Sequence, residues 1–422
     1  MAGNLEAWSL DRLGQSARRL TWVLFTAQSM ASAGFIAAAT LASILGAELA
    51  GSAAWAGVPS AVYLLGTAGA ALAWGYLMDV LGRRGGLVLG LVLGTVGGAL
   101  AFLAVDSGSF AVFLVGLALM GVASAAVTLG RFAAAEVHPP SERGRAISTV
   151  VLGGTVGAIL GPLLVGPAGR WAVSLGRRDL SGAYAVSGVL FLLAAVVVFA
   201  MLRPDPRDLG RRVAALLPVD DLHAGGARPL RAILAAPDAR LAVTSMVLGQ
   251  MVMVMVMVIT SLHMRAHDHG LGSVSLVISS HTLGMYAFSV VSGRLADRWG
   301  RRPTIAVGSV GLLTACALAT ISPQVVPLSV ALFLLGLGWN LCFVGGSTLL
   351  ADQLSPDERA RTQGVNDLLV GFASAVGSLG SGLVFAAVGY NAMAWLGAAV
   401  ALVPLVLALP RRRVALGTPV TP

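Results

Sequence analysis

The sequence predicts an all-α membrane protein with twelve transmembrane helices in two pseudo-symmetric six-helix bundles. Hydrophobic residues make up 57% of the 422 residues and charged residues only 11%, which is far from the composition of a soluble domain. Apolar runs long enough to cross a bilayer as helices recur along the whole chain. A glycine- and arginine-containing loop motif of the first half also recurs in the second half. Together these observations predict a duplicated helical protein that crosses the membrane many times.

The apolar runs divide into two groups of six. The N-terminal bundle, 20–202, has predicted spans at 20–45, 55–78, 85–105, 109–134, 146–169 and 181–202. The C-terminal bundle, 239–410, has predicted spans at 239–263, 272–295, 303–321, 325–351, 362–387 and 390–410. The segment 203–238 is rich in proline and arginine and is predicted to be a cytoplasmic linker. The segments 1–19 and 411–422 are predicted to be cytoplasmic tails.

The distribution of positive charge predicts the orientation of the chain. All 28 basic residues are arginine, and nearly all of them lie in the tails, the linker and the even-numbered loops. Loops rich in positive charge stay in the cytoplasm when a membrane protein inserts. We therefore expect a multi-pass protein of the inner (plasma) membrane, embedded in lipid as a monomer, with both termini in the cytoplasm.

The composition also excludes several classes of function. The net charge of +9 follows the membrane topology, so we expect no nucleic-acid partner. Cys316 and Cys342 both lie inside apolar runs, so the sequence predicts neither a disulfide framework nor a zinc cluster. The chain has no nucleophile–base pair or glycine-rich phosphate loop on soluble elements, so we do not expect an enzyme.

One loop motif occurs at matching places in the two halves. The first copy follows span two and supplies Gly75, Asp79, Gly82, Arg83 and Arg84; the second copy follows span eight and supplies Gly293, Asp297, Gly300, Arg301 and Arg302. A shorter match relates Pro140-Ser-Glu142-Arg143 to Pro356-Asp-Glu358-Arg359. Internal duplication of this kind is typical of secondary transporters, whose two halves move around a site near the bilayer midplane.

On these motifs the chain resembles the major facilitator superfamily along its whole length. The resemblance implies that the motif is a cytoplasmic latch, which breaks when the inner gate opens. The residues alone also allow Arg83 and Arg84 to be topology anchors. Arg131 and Glu136, near the cytoplasmic end of span four, are expected to join the latch.

Span five carries a second similarity to the superfamily. Its residues Gly157, Gly161 and Pro162 resemble the glycine–proline motif of proton-coupled antiporters. Small residues four apart also permit close helix packing, so packing alone explains them equally well.

Polar side chains inside the predicted spans are candidate substrate-binding residues, because burying them in a membrane is costly. Gln250 and Asn340 lie in the middle of spans seven and ten, where their amides either contact substrate or join helices. Asp367 lies in span eleven. Its carboxylate is a candidate proton acceptor, cation ligand or partner of the loop arginines, so proton coupling is one expectation.

A methionine-rich run in span seven suggests a metal site. Met253 and Met257 share one face of a helix, while Met251 and Met255 share another and are interpreted as packing or lipid-facing residues. In span eight, the spacing of four places His281 and Met285 on one face. Counted from the outer ends of the two spans, both pairs reach similar depths. Thioether and imidazole groups are ligands that monovalent copper accepts, although methionine also fills irregular gaps.

The loop that follows span seven adds further histidines. His263, His267 and His269 lie close together in the sequence and are interpreted as a possible outer capture site for a metal ion. The alternative is that the loop is simply polar.

The methionine and histidine pairs resemble the paired motifs of the CcoA-like branch of the superfamily, which includes copper importers and riboflavin-transporter relatives. This resemblance implies copper import through Met253, Met257, His281 and Met285, with copper as the substrate and no cofactor required. The alternatives are uptake of a vitamin-like organic solute such as riboflavin and proton-coupled efflux of small organic compounds. A membrane receptor or scaffold would need a soluble signalling domain, for which the tails and linker are too short.

Overall fold

The computed structural model describes residues 2–139, 142–216 and 228–409, and all regular structure within them is helical. The N-terminal half contains α1 (Ala2–Ala50), α2 (Val58–Ser107), α3 (Phe110–Glu136), α4 (Arg143–Ser174) and α5 (Gly182–Met201). The linker contains α6 (Pro206–Leu216) and α7 (Leu230–Ala235). The C-terminal half contains α8 (Pro237–Arg265), α9 (Leu271–Tyr286), α10 (Ser289–Trp299), α11 (Arg301–Ala319), α12 (Val325–Asp352) and α13 (Pro356–Ala408). Short 3₁₀ turns lie at Ala53–Trp55 and Asp179–Ser181.

Ten helical stretches of the described residues are long and apolar enough to cross a membrane. They correspond to twelve spans, because α2 and α13 each contain two. The 50 residues of α2 measure about 75 Å at 1.5 Å per residue, more than twice the thickness of a bilayer core. One further span combines α9 and α10, which Leu271–Trp299 covers as a single stretch. The predicted all-α fold with twelve transmembrane helices is confirmed.

Glycines with positive φ divide the long helices. Gly82 in α2 has φ 80° and Gly389 in α13 has φ 81°, and neither is helical. Gly300, at the place in the second half that matches Gly82, has φ 95°. Only glycine adopts such φ values without steric cost. The two motif glycines therefore turn the chain between consecutive spans in both halves.

Each half buries its own apolar core. One continuous core draws on α1 to α5 and the start of the linker, from Ala17 to Leu209. A second core in the other half runs from Val252 to Ala401 and takes in Ala56 of the first half. A smaller cluster packs α7 against α8 and the end of α12. Most of the buried apolar residues of each half therefore pack within that half, and Ala56 packs across the boundary.

The segments predicted as the N-terminal tail and the linker contain helices in the structure. Because α1 begins at Ala2, most of the segment predicted as an N-terminal tail is helical. The segment 203–238 contains α6 and α7, and the predicted C-terminal tail lies outside the described residues. The start of α1 and the linker lie at one end of the bundle, which we call the linker end; the opposite end is the distal end.

The two halves meet closely at the distal end. Ser378 Oγ in α13 donates a 2.7 Å hydrogen bond to the main-chain oxygen of Gly57. Any Cβ at Gly57 would overlap the main-chain oxygen of Ser378. Arg265 and Asp179 form a 3.4 Å ion pair between the halves at this same end. Among the described residues, no ion pair joins the two halves at the linker end. The hydrogen bond and the ion pair that join the two halves among the described residues therefore both lie at the distal end.

Candidate functional site

A cavity of about 200 Å³ lies between the two halves. Helices α1, α2 and α3 form one wall, and α8 and α9 form the other. Its lining includes Phe35, Ile36, Tyr63, Leu117, Met120, Gln250, Met253, Met257, His281, Met285 and Tyr286. The contacts around Gly57 and Ser378 close it off from the distal end. This is the place between two repeats where transporters of duplicated architecture bind their solutes.

Aromatic rings form one part of the cavity lining. The rings of Phe35 and Tyr63 stack with centroids 3.9 Å apart and an interplanar angle of 15°. Tyr286 lies edge-on to Trp339, with centroids 6.3 Å apart. Aromatic pairs of this kind add about 0.5–1.5 kcal/mol beyond the area they bury. Two rings fixed against each other provide a rigid, flat surface for a solute.

Gln250 is oriented by an aromatic partner. The Nε1–H of Trp339 donates a 2.6 Å hydrogen bond to Oε1 of Gln250. Because the indole nitrogen only donates, this bond fixes which end of the amide faces Trp339. The NH2 group of Gln250 remains as a donor at the cavity wall. Gln250 therefore takes part both in joining α8 to α12 and in lining the cavity.

The structure brings the predicted methionine and histidine residues together. Met253 and Met257 of α8 and His281 and Met285 of α9 all line the central cavity. His281 is completely buried, and its Nδ1 lies 3.0 Å from the main-chain oxygen of Leu332. Because that oxygen only accepts, Nδ1 carries the proton and Nε2 presents a lone pair. Nε2 has no hydrogen-bond partner among the described residues.

Two glycines allow His281 to reach α12. A Cβ at Gly284 would overlap the main-chain oxygen of Phe333, and a Cβ at Gly336 would overlap that of His281. Only residues without a side chain permit two helix backbones to approach this closely. The position of His281 therefore depends on glycines in both helices.

The other two methionines of the run face away from the cavity. Met255 is buried and its Cε lies near Gly397, while Met251 packs against Gly377. Both contacts are with α13, so these side chains pack within the C-terminal half. The interpretation of this face as packing agrees with these contacts.

Two of the outer histidines lie against each other, since the ring centroids of His263 and His267 are 4.5 Å apart. His263 stacks on Tyr390, with centroids 4.0 Å apart, and its main-chain oxygen bonds Nδ1 of His267. His269 Nε2 lies 3.0 Å from the main-chain oxygen of Pro323. No group of three or more His, Cys, Asp or Glu side chains in the described ranges is arranged to hold a metal ion. His263 and His267 are therefore neighbours, and a capture site formed by all three histidines stays a prediction.

Asn340 lies outside the cavity lining. Its Nδ2 donates to the main-chain oxygen of Met285 at 2.7 Å and to Ser289 Oγ at 2.9 Å. Its Oδ1 accepts a 2.5 Å hydrogen bond from Ser292. These bonds satisfy the buried amide and join α12 to the bend between α9 and α10. The contacts of Asn340 are those of a residue that joins helices, which is the alternative to substrate contact.

Asp367 and Arg131 lie on opposite halves, toward the linker end. The side chain of Asp367 in α13 is exposed, and Arg131 in α3 is close enough to influence it electrostatically. The two do not form an ion pair within 4.0 Å. Arg131 instead lies over the ring of Phe132, 4.9 Å from its centroid. The structure does not bring Arg131 into the motif network, contrary to the expectation that it would join the latch there.

The first motif forms a network within the N-terminal half. Arg83 pairs with Asp79 at 2.9 Å and with Glu136 at 2.6 Å. The main-chain N–H groups of Arg83 and Arg84 donate to the carboxylate of Asp205, at 3.1 and 3.0 Å. That carboxylate occupies the space where a Cβ at Gly82 would lie. Glu136 thus joins the motif, and the linker is attached to it through Asp205.

The second motif forms an equivalent network. Arg301 pairs with Asp352 at 2.9 Å and with Asp297 at 3.5 Å, while Arg302 pairs with Asp238 at 2.6 Å. The first glycine of each motif, Gly75 and Gly293, has open space where a Cβ would lie. Both networks therefore stay within their own halves in this conformation, with an unoccupied face at each first glycine.

The far end of the linker is anchored to the start of α13. Arg228 pairs with Glu358 at 2.8 Å, and Glu358 also forms a capping box with Ser355. Hydrogen bonding to the Arg228 guanidinium holds the pKa of Glu358 well below its usual value. The corresponding first-half motif is only partly described, since Pro140 and Ser141 lie outside the described residues.

The glycine–proline motif packs α4 against α1. A Cβ at Gly157 would overlap the main-chain oxygen of Ser29, and a Cβ at Gly161 would lie 2.6 Å from that of Ala33. Pro162 lies inside α4, where it removes one helical hydrogen bond. These contacts support the packing interpretation of the motif.

Sequence reasoning did not identify Phe35, Tyr63 and Tyr286 as cavity residues. Aromatic residues make up only 6% of the chain, so a ring in the middle of a span is a usable signal. The sequence does not reveal which face it occupies, because spans one, two and eight are apolar around most of their circumference.

Comparison with known proteins agrees with this geometry. A sequence profile described as Major Facilitator Superfamily matches residues 23–273 and 241–421. An uncharacterized MFS-type transporter, YdeG of Bacillus subtilis, is 35% identical over 92% of this chain and 91% of its own length. The riboflavin transporter RfnT of Brucella anthropi is 31% identical over 93% of this chain and 96% of its own length. The crystal structure of the nucleoside transporter NupG superposes with a TM-score of 0.67 at 17% identity, covering 92% of this chain and 97% of NupG.

Proposed function

The chain belongs to the major facilitator superfamily, and from this premise we propose that it carries a planar, vitamin-like organic solute such as riboflavin. It is a transporter of small solutes and not an enzyme. The observation that carries the proposal is the stacked pair Phe35–Tyr63 in the cavity between the halves. The similarity to a riboflavin transporter over nearly the full length of both chains also supports it.

The shape of the cavity suits a flat aromatic solute. A ring system would lie against the Phe35–Tyr63 stack on one side, with Tyr286 on the other wall. The NH2 group of Gln250 would donate to a carbonyl at the edge of the ring. One aromatic surface and a few placed polar groups are the usual composition of a small-molecule site.

Alternating access would then move the solute. In the described conformation the distal end is closed by Ser378–Gly57 and Arg265–Asp179, so a solute in the cavity leaves toward the linker end. Breaking these contacts while the linker end closes would expose the same cavity to the distal side.

The proposal is tested by uptake of labelled riboflavin into cells that cannot synthesise it. Phe35→Leu and Tyr63→Leu keep apolar volume but remove the stack, so we expect KM for riboflavin to rise roughly tenfold, as loss of an aromatic contact of about 1–1.5 kcal/mol implies. Trp395→Leu, at an exposed position of α13, is the matched control. Wild-type KM in both cavity variants at equal protein levels would contradict the proposal, as would absence of riboflavin uptake by the wild type.

We also propose that the linker end faces the cytoplasm and that the protein acts as a monomer in the inner membrane. The positive charge of the tails, linker and even-numbered loops supports this orientation. Both native cysteines are fully buried, so we expect a thiol reagent to label only the introduced cysteines. An impermeant maleimide added to intact cells should label Ser52→Cys at the distal end and leave Asp208→Cys in the linker unlabelled. The reverse pattern would overturn the orientation.

Copper import is a second candidate, supported by the unpartnered Nε2 of His281 and by three methionines, Met253, Met257 and Met285, in the lining of the same cavity. A buried imidazole nitrogen without a partner and soft thioethers together suit monovalent copper. We expect purified wild-type protein to retain copper under reducing conditions and His281→Gln and Met257→Leu to lose it. Met255→Leu, on the packing face of the same helix, serves as control. Equal copper content in all four proteins would remove this candidate.

A further inference from the structure

A second chamber lies beside the central cavity, on its linker side. It has a volume of about 230 Å³ and shares Phe35, Ile36 and Tyr286 with the central cavity. Its remaining lining comes from α1, α3 and α4 of the N-terminal half. In α1, Gln28 and Ser32 lie one to two turns nearer the linker end than Phe35. The two chambers are therefore neighbours along the path that a solute takes toward the linker end.

The lining of the second chamber contains several polar side chains, whereas the lining of the central cavity is mainly apolar and aromatic. Arg131 contributes a guanidinium whose Nε is buried without a partner among the described residues. Gln28 Nε2 donates to Ser32 Oγ at 3.2 Å, which leaves Gln28 Oε1 to accept and the Ser32 hydroxyl to donate. Thr128 and Thr155 donate to their own helices, so their oxygens can accept. The lining thus offers one cation and both donors and acceptors.

The guanidinium of Arg131 lies over the ring of Phe132 but makes no polar contact elsewhere in the described structure. It forms no hydrogen bond or ion pair there, and the motif arginines engage Asp79 and Glu136 without it. An arginine within a span is costly unless its charge is used. The carboxylate of Asp367 lies across the opening on the other half and does not pair with it in this conformation. The guanidinium is therefore free to bind a solute.

Volume argues that one solute occupies both chambers. Pockets for vitamin-sized ligands measure roughly 300–1,000 Å³, and the central cavity alone measures about 200 Å³. A flat ring fits against Phe35 and Tyr63, but the rest of such a molecule must lie elsewhere. The neighbouring chamber of about 230 Å³ provides that space. Because its lining is polar, it favours a polar part of the solute.

We propose that the second chamber binds the oxygen-rich tail of the solute, a polyol chain or its phosphate ester, while the planar ring lies in the central cavity. This inference rests on the proposed function and specifies the substrate class further. Hydroxyl groups both donate and accept, so a polyol matches Ser32, Gln28 and the two threonines. Arg131 donates to hydroxyl oxygens and pairs with phosphate oxygens. Arg131 is thus assigned as a substrate-binding residue.

Three flavins separate the two parts of the site. Lumichrome has the ring without a tail, riboflavin adds a ribityl polyol, and riboflavin 5′-phosphate adds an anion. Their binding to purified full-length protein in lipid nanodiscs would be measured by fluorescence for the wild type and for Arg131→Gln, Arg131→Lys and Ser32→Ala. Arg170→Gln is the matched control, because this exposed arginine of α4 lines neither chamber.

We expect Arg131→Gln to weaken riboflavin binding roughly tenfold, as loss of a charged hydrogen bond implies, and to leave lumichrome affinity within about twofold of wild type. Unchanged lumichrome affinity shows that the variant is folded. Recovery in Arg131→Lys for the phosphate ester alone would identify phosphate as the tail that uses this charge; recovery for riboflavin as well would identify the polyol.

Two other outcomes would overturn the inference. If wild-type protein binds riboflavin but Arg131→Gln changes riboflavin and lumichrome affinities equally, or changes neither, the tail is not bound at Arg131 and the proposed function stands. If wild-type protein binds none of the three flavins, the proposed function fails and the tail assignment fails with it.

Discussion

Ser378 Oγ in α13 donates a 2.7 Å hydrogen bond to the main-chain oxygen of Gly57, and this bond joins the two halves at the distal end. The neighbouring contact of Gly382 has the same character, since a Cβ there would lie 2.8 Å from the main-chain oxygen of Ala54. The distal closure thus depends on backbone approaching backbone. A closure of this kind tolerates almost no added volume.

The first prediction concerns Gly57. In Gly57→Ala the new methyl group would overlap Ser378, and overpacking of this kind costs about 1–3 kcal/mol. We expect the closed distal state to become roughly tenfold to hundredfold less populated and transport to fall accordingly. Labelling of Ser60→Cys in the cavity by a reagent added at the distal side would rise in this background.

The matched control is Gly69→Ala in α2, the helix that begins directly after Gly57, where a Cβ meets open space. It should transport and label as the wild type does. Ser378→Ala removes only one hydrogen bond and should shift the distal closure by a smaller factor, on the order of a few-fold. A fully active Gly57→Ala protein would show that the distal approach is not required for transport.

A second prediction addresses energy coupling through Asp367. This exposed carboxylate in α13 faces the opening between the halves, with Arg131 on the other side. If a proton on Asp367 drives transport, Asp367→Asn should abolish accumulation against a gradient in proteoliposomes and retain solute exchange. Asp208→Asn in the linker is the control. Full proton-driven accumulation in Asp367→Asn would exclude this role.

A third prediction separates structure from substrate contact at Asn340. Asn340→Ala leaves Ser289, Ser292 and the main-chain oxygen of Met285 without their partner, which costs about 1–3 kcal/mol. We expect a lower thermal unfolding temperature and a KM within about twofold of wild type. Thr314→Val, at an exposed hydroxyl bonded to its own helix, should change neither quantity. A large rise in KM with normal stability would instead make Asn340 a substrate residue.

A fourth prediction concerns pH and the anchor of the linker. Arg228 holds the pKa of Glu358 below its usual value, so the ionised pair stabilises the folded state at pH values above the unfolded pKa. This contribution is lost as the pH falls through the lower folded pKa. In Glu358→Gln the capping side chain remains but the charge does not, so the acid limb of a thermal-stability profile should flatten.

Glu142→Gln is the control for removing a carboxylate at this place in the repeat, because Glu142 occupies the matching place in the first half and forms no side-chain cap. Its thermal unfolding temperature at neutral pH should match that of the wild type. An acid limb unchanged in Glu358→Gln would mean that the Arg228 pair does not contribute to stability.

The sequence was sufficient to predict the twelve spans and the two motif loops. Hydropathy and the repeated glycines are local properties, and Gly82 and Gly300 adopt the same unusual backbone conformation that their repetition suggests. The ion pair of Arg83 with Glu136 also follows from their positions at the same end of neighbouring spans. These features could be predicted because they do not depend on how the two halves pack against each other.

The sequence was insufficient where the two halves, or two uniformly apolar helix faces, meet. The stack of Phe35 on Tyr63 joins spans in which almost every side chain is apolar, so periodicity does not mark the cavity face. The bond between Gly57 and Ser378 joins residues 321 positions apart. Asn340 reads as a candidate site residue because it is polar at membrane depth, and only its three hydrogen bonds reveal its partners.

The two faces of the methionine run also decide how oxidative damage would affect this protein. Oxidation converts a thioether into a polar, chiral sulfoxide, and hydrogen peroxide is small enough to enter a cavity of about 200 Å³. Met253 and Met257, at the cavity wall, would gain a hydrogen-bond acceptor there and change what the cavity selects. Met255, enclosed between α8 and α13, would be attacked only when those helices separate. Sulfoxide at Met253 or Met257 would therefore indicate altered selectivity, and sulfoxide at Met255 would indicate that α8 and α13 had separated.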